Sequence, residues 1–389
     1  MKNLARIFVL VLAVLFIAGC GTQQEEAAET TKEEIKIGGL FALSGKAEHI
    51  GKPTLDVANM VVDQINKDGG VDGAMIKLVV ADTRSEPSQA AVAMKKLIQK
   101  DKVVAICGPT TTGAIMACLP TIEQEQIPVV ACVGGTAAVV PVEERKWVFK
   151  SPQMSKTAVE RIYMYLQKND IDTIAILTAT DKFGQEGKQL LSSLAGDYGI
   201  KIVAEEQFDP TDLDMSVQIG KIAGKKPQAM VVWTIGPAGA VIAKNAKQLN
   251  VDFGVIQCHG QPDPIYIKLA EDAADGSIMP STKLMVADQL PDDDPQKEVV
   301  TAFVEEYKNR DLGAMGTHSG YAWDAIQIIA RALEEAGTDP EKLRDAIENT
   351  TDYIGVSGIY NMSPQDHCGL DTSSLVMIEV RDGKWVLID

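Results

Sequence analysis

The chain has 389 residues, of which 46% are hydrophobic, so it is long enough to form two domains that each bury a core. Its formal net charge of −17 argues against a nucleic-acid partner, because binding to phosphates relies on Lys and Arg. The four histidines and six cysteines show no metal-ligand spacing, and neither GxSxG, HExxH nor GxxxxGK[ST] occurs. We therefore predict no catalytic residues, no metal and no cofactor.

The amino terminus has the layout of a secretory signal peptide, with basic residues before an apolar run. That run, Ile7–Ala18, is shorter than the roughly 20 residues that an ordinary membrane span needs. Phe16–Cys20 ends it and resembles a bacterial lipobox, in which signal peptidase II cuts before the cysteine and the thiol takes a diacylglycerol. We predict a signal peptide over 1–19, lipidation of Cys20, and a flexible acidic tether over 20–34. The folded part would then be extracytoplasmic, anchored at the periplasmic face or the outer surface of the cell membrane.

The cysteines beyond Cys20 are odd in number, so they cannot all pair within one chain: Cys107, Cys118, Cys132, Cys258 and Cys368. Buried free thiols are the simpler interpretation. A disulfide between Cys107 and Cys132 stays open, because both residues end or follow successive predicted strands.

After the tether, apolar strands alternate with amphipathic helices, which is typical of a parallel sheet covered on both faces. The first half predicts strands at Ile35–Leu40, Ile76–Val80, Val103–Cys107 and Ile127–Ala131, and helices at Thr54–Lys67, Ser88–Lys100 and Ala114–Glu123. The pattern then repeats behind Ser155, with strands at Ile174–Leu177, Ile200–Ala204, Ala229–Trp233 and Gly254–Ile256, and helices at Gly187–Leu194 and Ala238–Leu249.

The end of the chain changes character. It predicts long helices over 295–310, 319–336 and from Pro340, and then a hairpin of strands Ser374–Val380 and Lys384–Ile388. Two α/β units and material shared between them indicate two lobes joined by several chain crossings.

Two loops are candidate anion sites, because loops at the carboxyl ends of parallel strands present backbone amides to ligands. Gly108–Gly113 contains three threonines before a helix, so their hydroxyls can either cap that helix or bind a carboxylate. Gly134–Thr136 has two glycines that allow close backbone approach and a threonine hydroxyl, and a simple turn is the alternative.

Six segments, taken in order, resemble the periplasmic binding proteins of the leucine/isoleucine/valine type: Ile37–Gly45, Asp63–Gly70, Glu86–Ala90, Asp181–Gly184, Ala273–Gly276 and Tyr321–Ala325. The resemblance implies an α/β, two-lobed type I fold, in which each lobe is a mostly parallel sheet flanked by helices and the hinge has three crossings. Lobe 1 would comprise 35–151 plus 284–352, and lobe 2 would comprise 152–283 plus 353–389.

The resemblance also implies a function. The protein would be the solute-binding component of an ABC importer, binding an amino acid or a related small carboxylate between the lobes and passing it to permease and ATPase subunits. A ligand-sensing receptor subunit with the same fold is the alternative.

Carried over by position, the ligand-binding residues are Ile50, Thr111, Thr112, Gly134, Thr136, Phe183 and His259. Thr112 would offer a hydroxyl, Gly134 and Thr136 an amide and a hydroxyl, and Phe183 an aromatic face, unless Phe183 only packs in the core.

His259 departs from the family pattern, because amino-acid-binding relatives place a Glu there to pair with the ligand's ammonium group. An imidazole cannot replace that anion, although Asp263 lies close in sequence and could supply the charge. The ligand is therefore either an amino acid or a carboxylate without an α-amine, such as an aromatic or aliphatic acid.

Overall fold

This computed structural model describes residues 34–389. The predicted signal peptide, Cys20 and nearly all of the predicted tether lie outside the described residues. Among residues 34–389, no helix is both long enough and apolar enough to cross a membrane.

The first half of the chain forms a five-stranded sheet. Its strands are β1 (Glu34–Phe41), β2 (Met75–Asp82), β3 (Ala105–Cys107), β4 (Val129–Ala131) and β5 (Val148–Lys150). They are all parallel and follow the order β2-β1-β3-β4-β5. The predicted parallel sheet is therefore confirmed, with β5 as an additional three-residue strand.

Helices cover this sheet on both faces. Three lie between its strands: α1 (Glu48–Lys67), α2 (Pro87–Lys96) and α3 (Thr112–Glu125). The predicted helix Ser88–Lys100 is in fact two segments, because a π-helical turn, Leu97–Asp101, follows α2.

The remaining strands are β6 (Thr173–Ala179), β7 (Lys201–Phe208), β8 (Ala229–Trp233), β9 (Gly254–Gln257), β10 (Ile278–Ser281), β11 (Tyr353–Ile354), β12 (Ile359–Tyr360), β13 (Val376–Arg381) and β14 (Lys384–Leu387). β11 and β12 form a separate small hairpin. The other seven strands form a mixed sheet in the order β14-β13-β10-β9-β8-β6-β7. The predicted terminal hairpin is confirmed: β13 and β14 pair antiparallel, and Asp382 and Gly383 in their turn have positive φ, which suits a type I′ turn.

The remaining helices are α4 (Ser155–Lys168), α5 (Lys182–Leu194), α6 (Ser216–Ala223), α7 (Pro237–Gln248), α8 (Pro264–Ala270), α9 (Lys297–Asn309), α10 (Ser319–Ala336) and α11 (Pro340–Glu348). Three of them have an aspartate as the N-cap residue: Asp181, Asp263 and Asp339 each accept a hydrogen bond from an N–H in the first turn. A carboxylate at this position satisfies an amide that the helix leaves unpaired, and it interacts favourably with the helix dipole.

Each sheet has its own hydrophobic core, so we call the first sheet with its helices lobe 1 and the second sheet with its helices lobe 2. One face of the first sheet packs with α1, α9, α10 and α11, and the other face packs with α2 and α3. The two faces of the second sheet likewise carry separate clusters. Tyr360 and Met362 belong to the lobe 1 cluster, although the sequence assigned 353–389 to lobe 2.

The chain passes between the lobes three times, at residues 151–154, 281–283 and 371–375, which agrees with the three crossings that the resemblance implies. The lobe boundaries given above stay a prediction. The five cysteines in residues 34–389 are buried free thiols, and the Sγ atoms of Cys107 and Cys132 lie 3.8 Å apart.

Candidate functional site

A cavity of about 480 Å³ lies between the lobes and is lined by residues of both. Its volume is in the range of about 300–1,000 Å³ that is usual for small-molecule sites. The wall is formed mainly by loops that follow strands β3, β4, β6, β8 and β9, so the cavity lies at the carboxyl ends of both sheets. This is the edge at which open α/β sheets bind ligands.

The loop 108–113 forms much of the lobe 1 wall. Thr110 is 5% exposed, and its hydroxyl accepts a hydrogen bond from the Ala42 N–H at 3.1 Å, which ties the loop to the end of β1. Thr111 precedes α3 and makes no side-chain capping bond. Thr111, Thr112 and Gly113 all line the cavity, so the loop presents two hydroxyls there that its own helix cap does not use.

The backbone at the start of α3 is also directed to this wall. The first N–H that finds an acceptor in the helix ladder is that of Ala114, which donates to the Thr111 carbonyl at 3.1 Å. The N–H groups of Thr112 and Gly113 precede it and have no acceptor within the helix. A helix N-terminus with unpaired amides and a positive dipole end favours an anionic group.

The lobe 2 wall is more aromatic. Phe183 is 7% exposed, lines the cavity, and packs with its ring centroid 5.6 Å from Trp233 and 5.7 Å from His259. Asp181, which caps α5, is the one acid among the cavity-lining residues that the structure describes. Its Oδ1 accepts from the Gly184 N–H at 2.8 Å, so part of its hydrogen-bonding capacity is committed to the helix.

His259 lies at the centre of this wall and is 2% exposed. Neither ring nitrogen has a hydrogen-bond partner among the described residues. Burial is the main reason that the pKa of His259 is lowered to about 3, and the positive charge of Lys150 adds to the shift. The ring is therefore neutral at physiological pH, with one donor and one acceptor to offer a ligand.

Two more histidines line the cavity. His318 Nε2 lies 3.2 Å from the Gly260 carbonyl of the opposite lobe, and burial lowers its pKa to about 4. His49 faces Gly236 of the opposite lobe, where an added Cβ would lie 3.0 Å from its Cε1, and burial lowers the pKa of His49 as well. The negative charge of Asp263 opposes both shifts, but Asp263 is not part of the wall; it caps α8 through the Ile265 N–H at 2.8 Å.

The loop 134–137 of lobe 1 differs from the loop 108–113. Gly134 lines the cavity, and a Cβ on it would lie 2.6 Å from Nε2 of His259, so the close approach of the lobes requires glycine there. Thr136 does not reach the wall: its hydroxyl accepts from the Lys156 N–H at 3.1 Å, at the start of α4. The amide of Ala137 donates to Glu186 Oε1 of lobe 2 at 3.0 Å.

The structure thus brings six of the predicted residues to one cavity: Ile50, Thr111, Thr112, Gly134, Phe183 and His259. It does not bring Thr136, whose hydroxyl the sequence assigned to the ligand. Ligand contact by the six stays a prediction. The sequence missed His49, His318, Cys132 and Tyr321, which also line the cavity, because lone residues in loops or at helix ends give no periodic signal.

Residues 34–384 match the family described as periplasmic binding protein. The chain belongs to the periplasmic binding protein family. Among curated proteins, the leucine-, isoleucine-, valine-, threonine- and alanine-binding protein of Pseudomonas aeruginosa is 25% identical over 359 residues, which cover 90% of this chain and 89% of the relative.

Solved structures of binding proteins have the same fold. An extracellular ligand-binding receptor from Rhodopseudomonas palustris superposes with a TM-score of 0.85 and 26% identity, over 92% of this chain and 100% of the receptor. The substrate-binding protein LivJ of Streptococcus pneumoniae, solved in complex with isoleucine, superposes with a TM-score of 0.80 and 22% identity, over 92% of this chain and 99% of LivJ. This periplasmic binding protein therefore has the two-lobed fold, an extracytoplasmic solute-binding role and no enzymatic activity.

Proposed function

We propose that this protein binds an amino acid or a related small carboxylate in the cavity between its lobes and delivers it to the permease and ATPase subunits of an ABC importer. The observation that carries the proposal is the start of α3 at the cavity wall. There, two N–H groups without helical acceptors and the hydroxyls of Thr111 and Thr112 belong to consecutive residues that line the cavity. Such a group of donors suits a carboxylate.

The relatives support the amino-acid part of this proposal, since the Pseudomonas protein is named for binding leucine, isoleucine, valine, threonine and alanine. In this arrangement the ligand's carboxylate meets the start of α3, and its side chain packs on Phe183 and Ile50. Asp181 is then the acid available to an α-ammonium group, because Asp263 does not line the cavity.

A second candidate ligand, a carboxylate without an α-amine, is favoured by His259. The neutral ring offers no negative charge, and a buried ammonium left without an anion is disfavoured by several kcal/mol. The two unpartnered nitrogens of His259 suit a hydroxyl, a carbonyl or a second carboxylate oxygen better than a cation.

Matched ligands that differ only in the amine decide between these candidates. We would titrate the purified protein with leucine and isocaproate, and with phenylalanine and hydrocinnamate, by calorimetry and thermal unfolding. A ligand at 100 times its Kd adds about 2.7 kcal/mol to the free energy of unfolding. Leucine binding that is lost in Asp181→Asn supports an amino acid as the ligand. Tighter binding of isocaproate than of leucine supports a carboxylate without an amine. If none of the four compounds binds, the proposal is contradicted.

Importer and sensor assignments differ in the partner rather than in the cavity. For an importer, the liganded protein should stimulate ATP hydrolysis by permease and ATPase subunits encoded beside it, reconstituted in proteoliposomes. Absence of stimulation, together with binding to a membrane receptor or kinase, would favour the sensor.

We also propose that Cys20 carries the lipid anchor, on the basis of the lipobox-like Phe16–Cys20. Metabolic labelling with palmitate should mark the wild type and fail in Cys20→Ala, which should accumulate as a precursor or be released. Unchanged labelling of that variant would contradict the anchor.

A further inference from the structure

Glu186 of lobe 2 makes a contact with lobe 1 that the proposed ligand site does not require. It lies on α5, one turn after Phe183, and its Oε1 accepts the Ala137 N–H at 3.0 Å. Its Oε2 accepts the hydroxyl of Ser155, the first residue of α4, at 3.3 Å. The carboxylate therefore joins the lobe 1 loop 134–137 to two helices of lobe 2.

The opposite side of the same loop is held by Lys150, which is fully buried at the end of β5. Its ammonium group donates to the carbonyls of Gly134 at 2.8 Å, Gly135 at 3.3 Å and Gln153 at 3.1 Å. The loop is thus bound between an ammonium group at its carbonyls and a carboxylate at its amide. Burial raises the pKa of Glu186, and Lys150 and the groups of Thr136 and Ala137 partly reverse that shift.

The two charges differ in one respect. Lys150 and the loop belong to the same lobe, so their hydrogen bonds survive when the lobes separate. Glu186 and Ala137 belong to different lobes, so their hydrogen bond depends on how the lobes are arranged, as does the bond from the Ser155 N–H to the Gly134 carbonyl at 2.8 Å. A contact that is made in only one of two conformations shifts the equilibrium toward that conformation.

The loop also connects this contact with the ligand wall. A Cβ on Gly135 would lie 3.0 Å from Glu186 Oε2 and 2.7 Å from the hydroxyl oxygen of Thr112, so Gly135 lies directly between them. Movement of the loop away from Glu186 would therefore change the packing against the first residue of α3.

We propose that Glu186 is a positioning residue that holds the cleft closed by binding the loop 134–137 across the lobes, and that it thereby increases the affinity for the ligand. The part of this inference that concerns ligand affinity rests on the proposed function. The contact between Glu186 and the loop can be tested without any ligand. The apparent affinity of a closing protein is proportional to the fraction of molecules that can close.

The test compares Glu186→Ala and the isosteric Glu186→Gln with a matched control, Glu205→Gln. Glu205 lies on β7 of the same lobe and pairs with Lys188 of the same helix α5, 3.3 Å away, at a partly exposed position with no contact to lobe 1. Hydrogen–deuterium exchange of peptides covering 134–139 is measured without added solute. Affinities for leucine and isocaproate are measured in parallel.

We expect exchange in this segment to be roughly tenfold faster or more in Glu186→Ala, and binding to be roughly ten- to a hundredfold weaker through faster dissociation, with Glu205→Gln unchanged. The exchange rate and the affinity of Glu186→Gln should lie between those of Glu186→Ala and Glu205→Gln. If Glu186→Ala does not fold, Glu186→Gln is the variant that tests the proposal. Unchanged exchange in 134–139 would overturn the proposal, as would faster exchange with unaltered affinity. If neither probe binds, the proposed ligand class is wrong, and the exchange result alone decides for or against the contact.

Discussion

Two loops of lobe 1 have similar sequences and different surroundings. Both 108–113 and 134–137 follow parallel strands, both contain glycine and threonine, and both precede a helical turn. At the first loop, the helix amides and the hydroxyls of Thr111 and Thr112 meet the cavity. At the second loop, the Ala137 amide is bound by Glu186 and the Thr136 hydroxyl by the start of α4.

The comparison shows that a loop able to bind an anion does not need to bind the ligand's anion. The Ala137 amide of the second loop is already bound by a carboxylate of the protein itself, which is in keeping with the role in joining the lobes proposed above. Within residues 34–389 no carboxylate bonds the first loop, and so it is the better candidate for the ligand's carboxylate.

The largest expected effect comes from Lys150, which holds the second loop from behind. Lys150→Met removes the ammonium donor from three carbonyls, although that of Gly134 keeps the Ser155 N–H, and it removes a positive charge that favours the Glu186 carboxylate. Breaking a buried charged network in this way should lower the free energy of unfolding by about 3–5 kcal/mol. Denaturant unfolding measures the effect, and Lys156→Met, at an exposed pair with Glu160, should change it by less than about 1 kcal/mol. Equal stability of the two variants would show that Lys150 does not anchor the loop.

The comparison predicts that Thr112 and Thr136 are not equivalent. Thr112→Val should weaken binding of the ligand by about 1.5–3 kcal/mol, because a hydroxyl bonded to a charged group is lost. Thr136→Val removes the acceptor for the Lys156 N–H of lobe 2, so it should reduce stability by about 1 kcal/mol and, as the loss of one contact between the lobes, weaken binding less than Thr112→Val does. Calorimetry on both variants decides; equal losses of affinity would place the ligand's carboxylate between the two loops instead.

Gly134 of the second loop sharpens the comparison, because it faces His259 of the opposite lobe. In Gly134→Ala the new methyl would collide with Nε2 of His259, so the closed arrangement should become less favourable by about 1–3 kcal/mol and binding should weaken accordingly. Gly220→Ala is the control, because its Cβ meets no atom within 4 Å, in the middle of α6. If both substitutions leave affinity unaltered, the contact between Gly134 and His259 does not limit closure.

The smallest expected effect is the change in the free energy of unfolding with pH that His259 contributes. Its pKa is lowered to about 3 in the folded protein, so its contribution to stability is fully present above the usual pKa near 6.5 and is lost as the pH falls toward 3. The stability difference between wild type and His259→Phe should change by up to about 1.4 kcal/mol per pH unit between pH 6 and 4. Asp324, with its pKa raised to about 6 by burial, acts in the opposite direction, but equally in both proteins. A pH-independent difference would mean that His259 is hydrated or charged in the folded state.

Much of the fold could be predicted from the sequence, because its strands are apolar runs between amphipathic helices. β5, β10, β11 and β12 were missed: β5, β11 and β12 have only two or three residues each, and β10 (Ile278–Ser281) contains a proline and ends in a serine. The loops of the site could be predicted for a similar reason, since a strand, a glycine-rich loop and a helix follow each other along the chain.

The contacts across the cleft could not be predicted in this way. Glu186 and Ala137 are 49 residues apart along the chain, so no local pattern links them. An acidic residue on an amphipathic helix is ordinarily predicted to be exposed to solvent. Likewise, Thr136 has the composition of a ligand residue, and only the position of α4 shows where its hydroxyl is used. Such roles depend on how the lobes meet, which no local pattern encodes.

One side chain joins the first chain crossing to the third, and this limits how those two segments can move. Gln153, in the first crossing, donates through Nε2 to the carbonyls of Ser357 and of Ser374, which lie before and within the third passage. Tyr360 donates to the Ser151 carbonyl and to Asp324 beside them. Because these two segments are tied at a common point, they should bend together rather than separately whenever the lobes move relative to each other.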